Sequence, residues 1–489
     1  MERPTELTTR LYATQLLLII FVLLFMTTCP PVRATTQELL KGFTATPNPS
    51  VSSFQALLND SNGNFSLGFL RVGRTQLSLA ILHVPSAEPV WLANPTSLAR
   101  WSEPTRLFFN GSLVLSDPHS GVLWSTQTNG GRVLLLNTSN LQIQEIDDSL
   151  SVLWQSFDFP SDTLLENENF TASMTLFSSN GLYSMRLGDD FMGLYAKFKP
   201  DSTQIYWKHK AMEAKAEIVR GQGPIYARVS SNGFLGMYQT EIAPVDVQPF
   251  DSFQRPIAGI RRIRLETDGN LKGYYWNGLS WVLDFRAIPN ECDLPSSCGS
   301  YALCRPGDGC ACLDNQTEYI SGKCFPPESG DFCGEGEENE NEFGVLRRKG
   351  VELPYKERMG FEKMGSLEEC ESFCEKNCSC WGAVFNNASG FCYKVDYPIE
   401  TLVSVGDETK VGYFKVKKVA EKKKDLGFAA GIGLLAGAVV IFVGVAGFGS
   451  YRIWRSKKGP NGFMEDGFSP GPYKDLGSAS FRSIELCQG

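Results

Sequence analysis

Hydrophobic and polar positions change their pattern along this chain. From Phe43 onward, short runs such as QLSLAILHV (76–84), RLFFNGSLVLSD (106–117) and GRVLLLNTSNLQIQEID (131–147) alternate apolar and polar residues, punctuated by Gly, Asn, Pro and Ser. Alternation with β-branched and aromatic content predicts strands, so this half reads as all-β. An apolar-Trp pair recurs at Val90-Trp91, Leu123-Trp124 and Leu153-Trp154, 33 and 30 residues apart. Three copies of one unit predict pseudo-threefold packing, with one tryptophan from each on a shared axis.

Two uninterrupted apolar stretches break the alternation. Residues 16–26 (LLLIIFVLLFM) follow Arg3 and Arg10 and precede Val32-Arg33-Ala34. This order predicts a signal peptide over 1–34, cut after Ala34, because the run is far shorter than the ~20 residues a bilayer needs. Residues 426–450 carry no charge and are long enough to cross. Six lysines (415, 417, 418, 422, 423, 424) precede that span and four basic residues (Arg452, Arg455, Lys457, Lys458) follow it. Flanking charge alone favours the preceding side as cytoplasmic, but a signal peptide commits that side to translocation. The expectation is a single-pass type I protein of the plasma membrane, N-terminus outside, with a short cytoplasmic tail over 451–489. Gly427/Gly431 and Gly433/Gly437 are small-xxx-small pairs that let two membrane helices approach closely and favour lateral association.

Composition removes several functions. A net charge of −8 over 489 residues provides no basic stripe for nucleic acid. The three histidines (His83, His119, His209) lack metal-ligand spacing, which argues against a histidine zinc site or a Ser-His or Cys-His engine. No enzyme activity, metal or cofactor is expected. Gly467-Phe-Ser469-Pro-Gly471 imitates a nucleophile elbow, but no strand precedes it. Gly431-Ile-Gly433-Leu-Leu-Ala436 imitates a dinucleotide loop inside the membrane span. Eight sequons (Asn59, Asn64, Asn110, Asn137, Asn169, Asn315, Asn377, Asn387) all precede the span.

Of fourteen cysteines, Cys29 falls in the signal and Cys487 in the tail; the other twelve lie between 292 and 392. An even, tightly spaced set in an oxidising compartment predicts disulfides. Cys292, Cys298, Cys304, Cys310, Cys312 and Cys324 form one module, and spacing alone allows fifteen pairings. Cys333, Cys370, Cys374, Cys378, Cys380 and Cys392 form another, with Ser366-Leu-Glu-Glu369 as a capping box opening a short helix. Cys370 and Cys374 then share one helix face.

The text CDLPSSCGSYALCRPGDGCACL resembles an EGF-like domain of plant S-domain receptors, which implies first-to-third, second-to-fourth and fifth-to-sixth pairing. Asn290-Glu291 fits a calcium-binding version in part, but Ile288 stands where an acid is expected, so a structural spacer is the reading. GSLEECESFCEKNCSCWGAVFNNASGFCYKV resembles a PAN (apple-like) domain, implying the pairs Cys370–Cys392, Cys374–Cys380 and Cys333–Cys378. NFSLGF (64–69), PVWLAN (89–94), NGSLVLSD (110–117) and LWQSFDFPSDTLL (153–165) resemble the bulb-type lectin domain of S-locus glycoproteins and G-type lectin receptor kinases. RLETDGNLKGYYW (264–276) resembles the adjoining S-locus glycoprotein segment. The resemblance implies a mainly β exterior: a β-prism over 35–165, a second lectin-like β domain over 166–288, an EGF-like module over 289–325 and an α+β PAN domain over 330–418. A membrane helix over 426–450 follows. The 38-residue stretch from Arg452 to Gly489 is too short for the kinase of those receptors and has none of its motifs.

In the lectin family, mannose is held by Gln, Asp, Asn, Val and Tyr at alternate positions of one strand. Phe108, Asn110, Ser112, Val114 and Ser116 keep the valine alone; Leu136, Thr138, Asn140, Gln142 and Gln144 keep the asparagine alone. Glu266, Asp268, Asn270, Lys272 and Tyr274 keep three polar positions, and Glu266, Asp268, Asn270 and Tyr274 are the candidate sugar site, set against a reading of Asp268-Gly269-Asn270 as a plain turn. The leading expectation, given that resemblance, is a kinase-less receptor-like glycoprotein that recognises an extracellular protein or peptide and acts through self-association or lateral association with a receptor kinase through the membrane helix, with a mannose-type glycan ligand as the alternative. The acidic run EGEENENE (335–342) reads as a solvated inter-module loop.

Overall fold

The computed structural model describes residues 38–146, 151–199, 202–212, 216–219, 225–314, 319–320, 322–324, 332, 343–417 and 426–456. The expected signal peptide, Asn315, Cys333, the acidic run, the lysines from 418 to 424 and the tail beyond 456 lie outside the described residues.

The alternating runs form strands, and these assemble into three antiparallel sheets in a first prism. One sheet holds Phe54–Asn59, Phe65–Val72, Gln76–His83 and Glu88–Leu92, extended by Ala99–Arg100. Another holds Thr44–Ala45, Arg106–Phe109, Leu113–Asp117 and Gly121–Ser125. The third holds Glu38–Leu40, Arg132–Leu135, Leu141–Gln144 and Val152–Gln155. Inward residues such as Leu67, Leu79, Leu107, Val133 and Ile143 are fully buried. In each sheet the last strand bulges just before its tryptophan. Trp91 faces Ile81 while Pro89 faces Leu82, leaving Val90 unpaired, and Leu123 and Leu153 are skipped in the same way. A bulge re-aims the next side chain, and the indoles of Trp91, Trp124 and Trp154 meet edge to face at 5.9, 6.0 and 5.8 Å. Each such aromatic pair contributes about 0.5–1.5 kcal/mol beyond area burial.

A second prism repeats the plan. Its sheets are Thr163–Leu165, Arg261–Leu265, Leu271–Trp276 and Trp281–Arg286; Asn169–Phe170, Tyr226–Ser230, Phe234–Tyr238 and Pro244–Pro249; and Leu176–Phe177, Tyr183–Leu187, Phe191–Lys199 and Ser202–Lys210. The same bulge recurs, skipping Tyr206, Val245 and Asp284, so Trp207, Asp246 and Phe285 stand where the first prism has tryptophans. Thr163–Leu165, at the end of the segment read as the first domain, is an edge strand of this second prism.

The prisms meet through a polar-aromatic joint. The Arg262 guanidinium donates to Glu88 Oε2 at 2.6 Å and lies 3.9 Å from the Trp281 ring. His83 packs against Trp276 and Trp281 at 5.1 and 5.2 Å. Burial, then the Arg262 charge, pushes the His83 imidazole down to about 4, so it is neutral near pH 7.

In the first cysteine module, Cys292 is bonded to Cys304, Cys298 to Cys310 and Cys312 to Cys324. Its strand Ala302–Arg305 pairs in parallel with Leu402–Ser404 of the following module, which fuses the two. That module has a five-stranded sheet (Phe343–Lys349, Lys410–Lys417, Gly382–Asn386, Phe391–Val395, Glu362–Lys363) with helix α1, Leu367–Glu375. Ser366 caps the helix by accepting from Glu369 N, and Glu369 Oε2 accepts from Gly365 N. Cys370 bonds to Cys392 and Cys374 to Cys380; Cys378 is also disulfide-bonded. Lys415, counted above among the lysines flanking the span, is instead buried in this module. Its Nζ donates to the carbonyls of Asn377 (2.9 Å) and Glu375 (3.3 Å) at the end of α1. Helix α2, Leu426–Ser456, is long and apolar enough over Gly437–Arg455 to cross a membrane.

Candidate recognition site

Side chains on a strand alternate between the two sheet faces, so the sugar-motif positions project outward from a prism while their neighbours form its core. At the hairpin joining Arg261–Leu265 to Leu271–Trp276, Glu266 N donates to Asn270 O, closing a turn in which Gly269 has φ +85°. A left-handed φ suits glycine. Asp268-Gly269-Asn270 is therefore a turn, and its side chains have internal partners. Asn270 is buried; its amide donates to Ile288 O (2.8 Å) and its carbonyl accepts from Ile288 N (3.1 Å). Asp268 accepts from Asn270 N (2.8 Å) and from Lys272 Nζ (2.6 Å). The Tyr274 hydroxyl donates to Glu266 Oε1 at 2.7 Å, and burial, followed by this bond, holds the phenol far above its ordinary range. The structure thus brings Glu266 to Tyr274 and Asp268 to Lys272, while Asn270 faces the polypeptide. Arg262, clamped to Glu88 of the first prism, lies 5.4 Å from the Tyr274 ring, so the joint occupies part of this face.

Ser112, Asn140, Gln142 and Gln144 of the first prism are likewise engaged. Asn140 donates to Gln155 Oε1 (2.8 Å), Gln144 donates to Gln142 Oε1 (2.8 Å), and Arg132 donates to Gln144 Oε1 (2.9 Å). Ser112 bonds Ser125 at 2.9 Å. Among the sequon asparagines, Asn64, Asn110, Asn137, Asn169 and Asn387 are exposed, and Asn59 and Asn377 are half-buried.

Two outward faces of the second prism carry a constellation that motif comparison did not single out. Gly193 stands opposite Arg186 on one side and Lys208 on the other. The Tyr195 ring lies across Gly193, where an added Cβ would meet it at 2.9 Å, and the Arg186 guanidinium sits 5.2 Å from that ring. On the next sheet Gly236 stands opposite Arg228, Tyr238 covers Gly236, and Arg228 lies 4.6 Å from the Tyr238 ring. The signal was in the sequence: FMGLY (191–195) and FLGMY (234–238) repeat one another. In the last module, Met359, Phe361, Phe373, Glu362, Lys394 and Asp396 line a cleft of about 320 Å³.

These faces belong to recognisable modules. The D-mannose binding lectin family matches residues 89–186, the S-locus glycoprotein domain 250–316 and the PAN domain 347–414. A PAN domain-containing protein of Arabidopsis thaliana is 53% identical over 453 residues, covering 92% of each chain. This chain belongs to that PAN domain-containing family. Two G-type lectin S-receptor-like serine/threonine-protein kinases of Arabidopsis thaliana are each 26% identical, over 92% and 86% of this chain. The chain spans about half the length of these kinases, 58% and 53%. Lectin and PAN domains are non-catalytic modules, and with one apolar helix they give this member of the PAN domain-containing family a receptor-like architecture.

Proposed function

We propose that this PAN domain-containing protein is a glycosylated, single-pass protein of the plasma membrane whose exterior recognises an extracellular protein or peptide and acts through lateral association with a receptor kinase. One observation carries the choice of ligand. The polar groups on the best sugar-motif strand are already engaged inside the protein: Asn270 by the Ile288 backbone, Asp268 by Lys272, Glu266 by Tyr274. A hydroxyl-rich ligand would have to displace these bonds, and a site gains affinity from polar groups only when they are available to the ligand. The signal peptide, the tail and the domain division 35–165, 166–288, 289–325 and 330–418 are part of the same reading. The two prisms and the exposed sequons support it, with the first boundary drawn back before Thr163–Leu165, which pairs in the second prism.

The test is a glycan array probed with the purified chain and with Asp268→Ala/Asn270→Ala. No sugar binding from folded protein is the expected result. Binding that disappears in the variant would make this a mannose-type sensor. Crosslinking in membranes addresses the lateral step, where a strictly monomeric chain would remove it.

A further inference from the structure

The joint between the prisms shows what one of these outward faces takes. On the sheet of Arg261–Leu265, the outward Arg264 holds the Asp162 carboxylate at 2.9 Å and stands 3.8 Å from that of Glu88, which its neighbour Arg262, 5.4 Å from the Tyr274 ring, also holds. The bulges place Arg264, Lys272 and Tyr274 at the positions that Arg186, Gly193 and Tyr195 hold on the sheet of Phe191–Lys199. There the arginine is stacked on its tyrosine but, among the described residues, makes no hydrogen bond or ion pair. A stacked guanidinium keeps its in-plane N–H groups available, a fork that fits a carboxylate.

The surroundings add positive charge. Lys208, the other cross-strand neighbour of Gly193, holds its Nζ 3.8 Å from the Phe191 ring, and Lys197 is exposed two positions beyond Tyr195. The nearby acids are Asp190, paired with Lys210 at 3.2 Å, and Asp189, exposed in the turn. With strands ~4.8 Å apart, Arg186 and Lys208 stand about 10 Å from one another. The matching face on the sheet of Tyr226–Ser230 is less suited, because the sequon residue Asn169 is the cross-strand partner of Arg228.

We propose that the face centred on Gly193 binds an acidic, extended peptide segment of a protein partner, with Arg186 and Lys208 each taking a carboxylate and Tyr195 backing the guanidinium. This inference rests on the reading of the exterior as a protein-recognition surface and names the chemistry of the segment recognised.

The test uses the full chain in detergent and a fluorescein-labelled octapeptide alternating Glu and Ser. Anisotropy should report binding that weakens as salt rises. Arg186→Gln/Lys208→Gln should weaken it about tenfold or more, while Arg228→Gln leaves it unchanged. Arg186→Lys, which keeps the charge and loses the planar fork, should fall between. Thermal melts of each variant matching the parent show that the fold is intact. Three results would overturn the proposal: equal binding of the Gln/Ser peptide, no loss in the double variant, or equal binding of an oligogalacturonate through the same residues. A positive glycan array through Asp268 and Asn270 would overturn the underlying reading instead, and leaves the peptide arm to be judged by itself.

Discussion

The two prisms share a backbone plan and differ on their axes. Both have three sheets whose last strand bulges one residue before the inward side chain. In the first prism that side chain is always tryptophan, and the rings satisfy one another. In the second the set is Trp207, Asp246 and Phe285, and Asp246, buried, must be satisfied by His209 Nε2 at 2.6 Å and Met212 N at 3.4 Å. An apolar threefold axis closes on itself, whereas a mixed axis recruits specific polar partners and cannot be exactly repeated. The buried acids differ in the same sense. Asp117 of the first prism accepts from His119 N (2.9 Å) and Thr105 Oγ1 (3.2 Å). Burial alone would raise its carboxyl, but these bonds and Arg100 hold it below the ordinary value. Glu168 of the second accepts from Leu165 N (3.0 Å), and burial, opposed by that bond and aided by Asp158, pushes it up to about 8.

Cutting one side of the tryptophan triangle should show the largest effect. Trp91→Ala removes a buried ring, two edge-to-face contacts and the Nε1 bond to Phe159 O at 2.8 Å. A loss of about 3–5 kcal/mol is expected in chemical denaturation. A cost below about 1 kcal/mol would mean that the axis does not organise the first prism.

The opposed acids give a sign that sharpens the contrast. Glu168 is raised in the fold, so its contribution is full below pH ~4.5 and is lost as pH rises through about 8. Asp117 is lowered, so its contribution is present above its unfolded value and is lost as pH falls. Glu168→Gln should match the parent at pH 4 and exceed its stability by about 4 kcal/mol near pH 8. A variant as pH-sensitive as the parent over that interval would show that Glu168 ionises freely in the fold.

The joint tests whether the prisms share stability. Glu88→Ala leaves the Arg262 guanidinium, whose Nε and Nη1 have no hydrogen-bond partner among the described residues, buried with its Nη2 unpaired there as well. A loss of about 2 kcal/mol is expected, together with separation of one unfolding transition into two in calorimetry. A single, unshifted transition would show that the prisms are held by their apolar contacts alone.

How much of this was legible follows from the same contrast. Trp91, Trp124 and Trp154 announce the first prism because one residue type repeats beside an apolar partner. The second prism hides its threefold plan, since its axis positions hold three different residues and only FMGLY and FLGMY keep a common text. The candidate sugar strand was read to the right hairpin, but nothing in the sequence shows that Ile288, eighteen residues downstream of Asn270, takes both ends of its amide. The same limit applies to Glu88 and Arg262, whose contact spans 174 residues. Lys415 reads as a membrane-flanking charge from its neighbours Lys417 and Lys418, and nothing local shows that the carbonyls of Glu375 and Asn377, about 40 residues upstream, take its Nζ inside the module.

The finest test exchanges one axis type for the other. Asp246→Leu removes the buried carboxylate and takes one partner from the half-buried His209 ring and from Met212 N, at a cost of about 1–2 kcal/mol. Adding His209→Leu removes the second polar partner, and exchanging both members of a buried pair for apolar groups of similar size is close to neutral. The double variant should therefore recover most of the loss, a coupling of about 1 kcal/mol in a double-mutant cycle. Additive losses would mean that His209 has a stabilising role of its own, through its stacking with Trp207 at 6.0 Å or its contact with Gln248 at 2.8 Å. In that case the second axis would be a polar network in its own right rather than a substituted copy of the first.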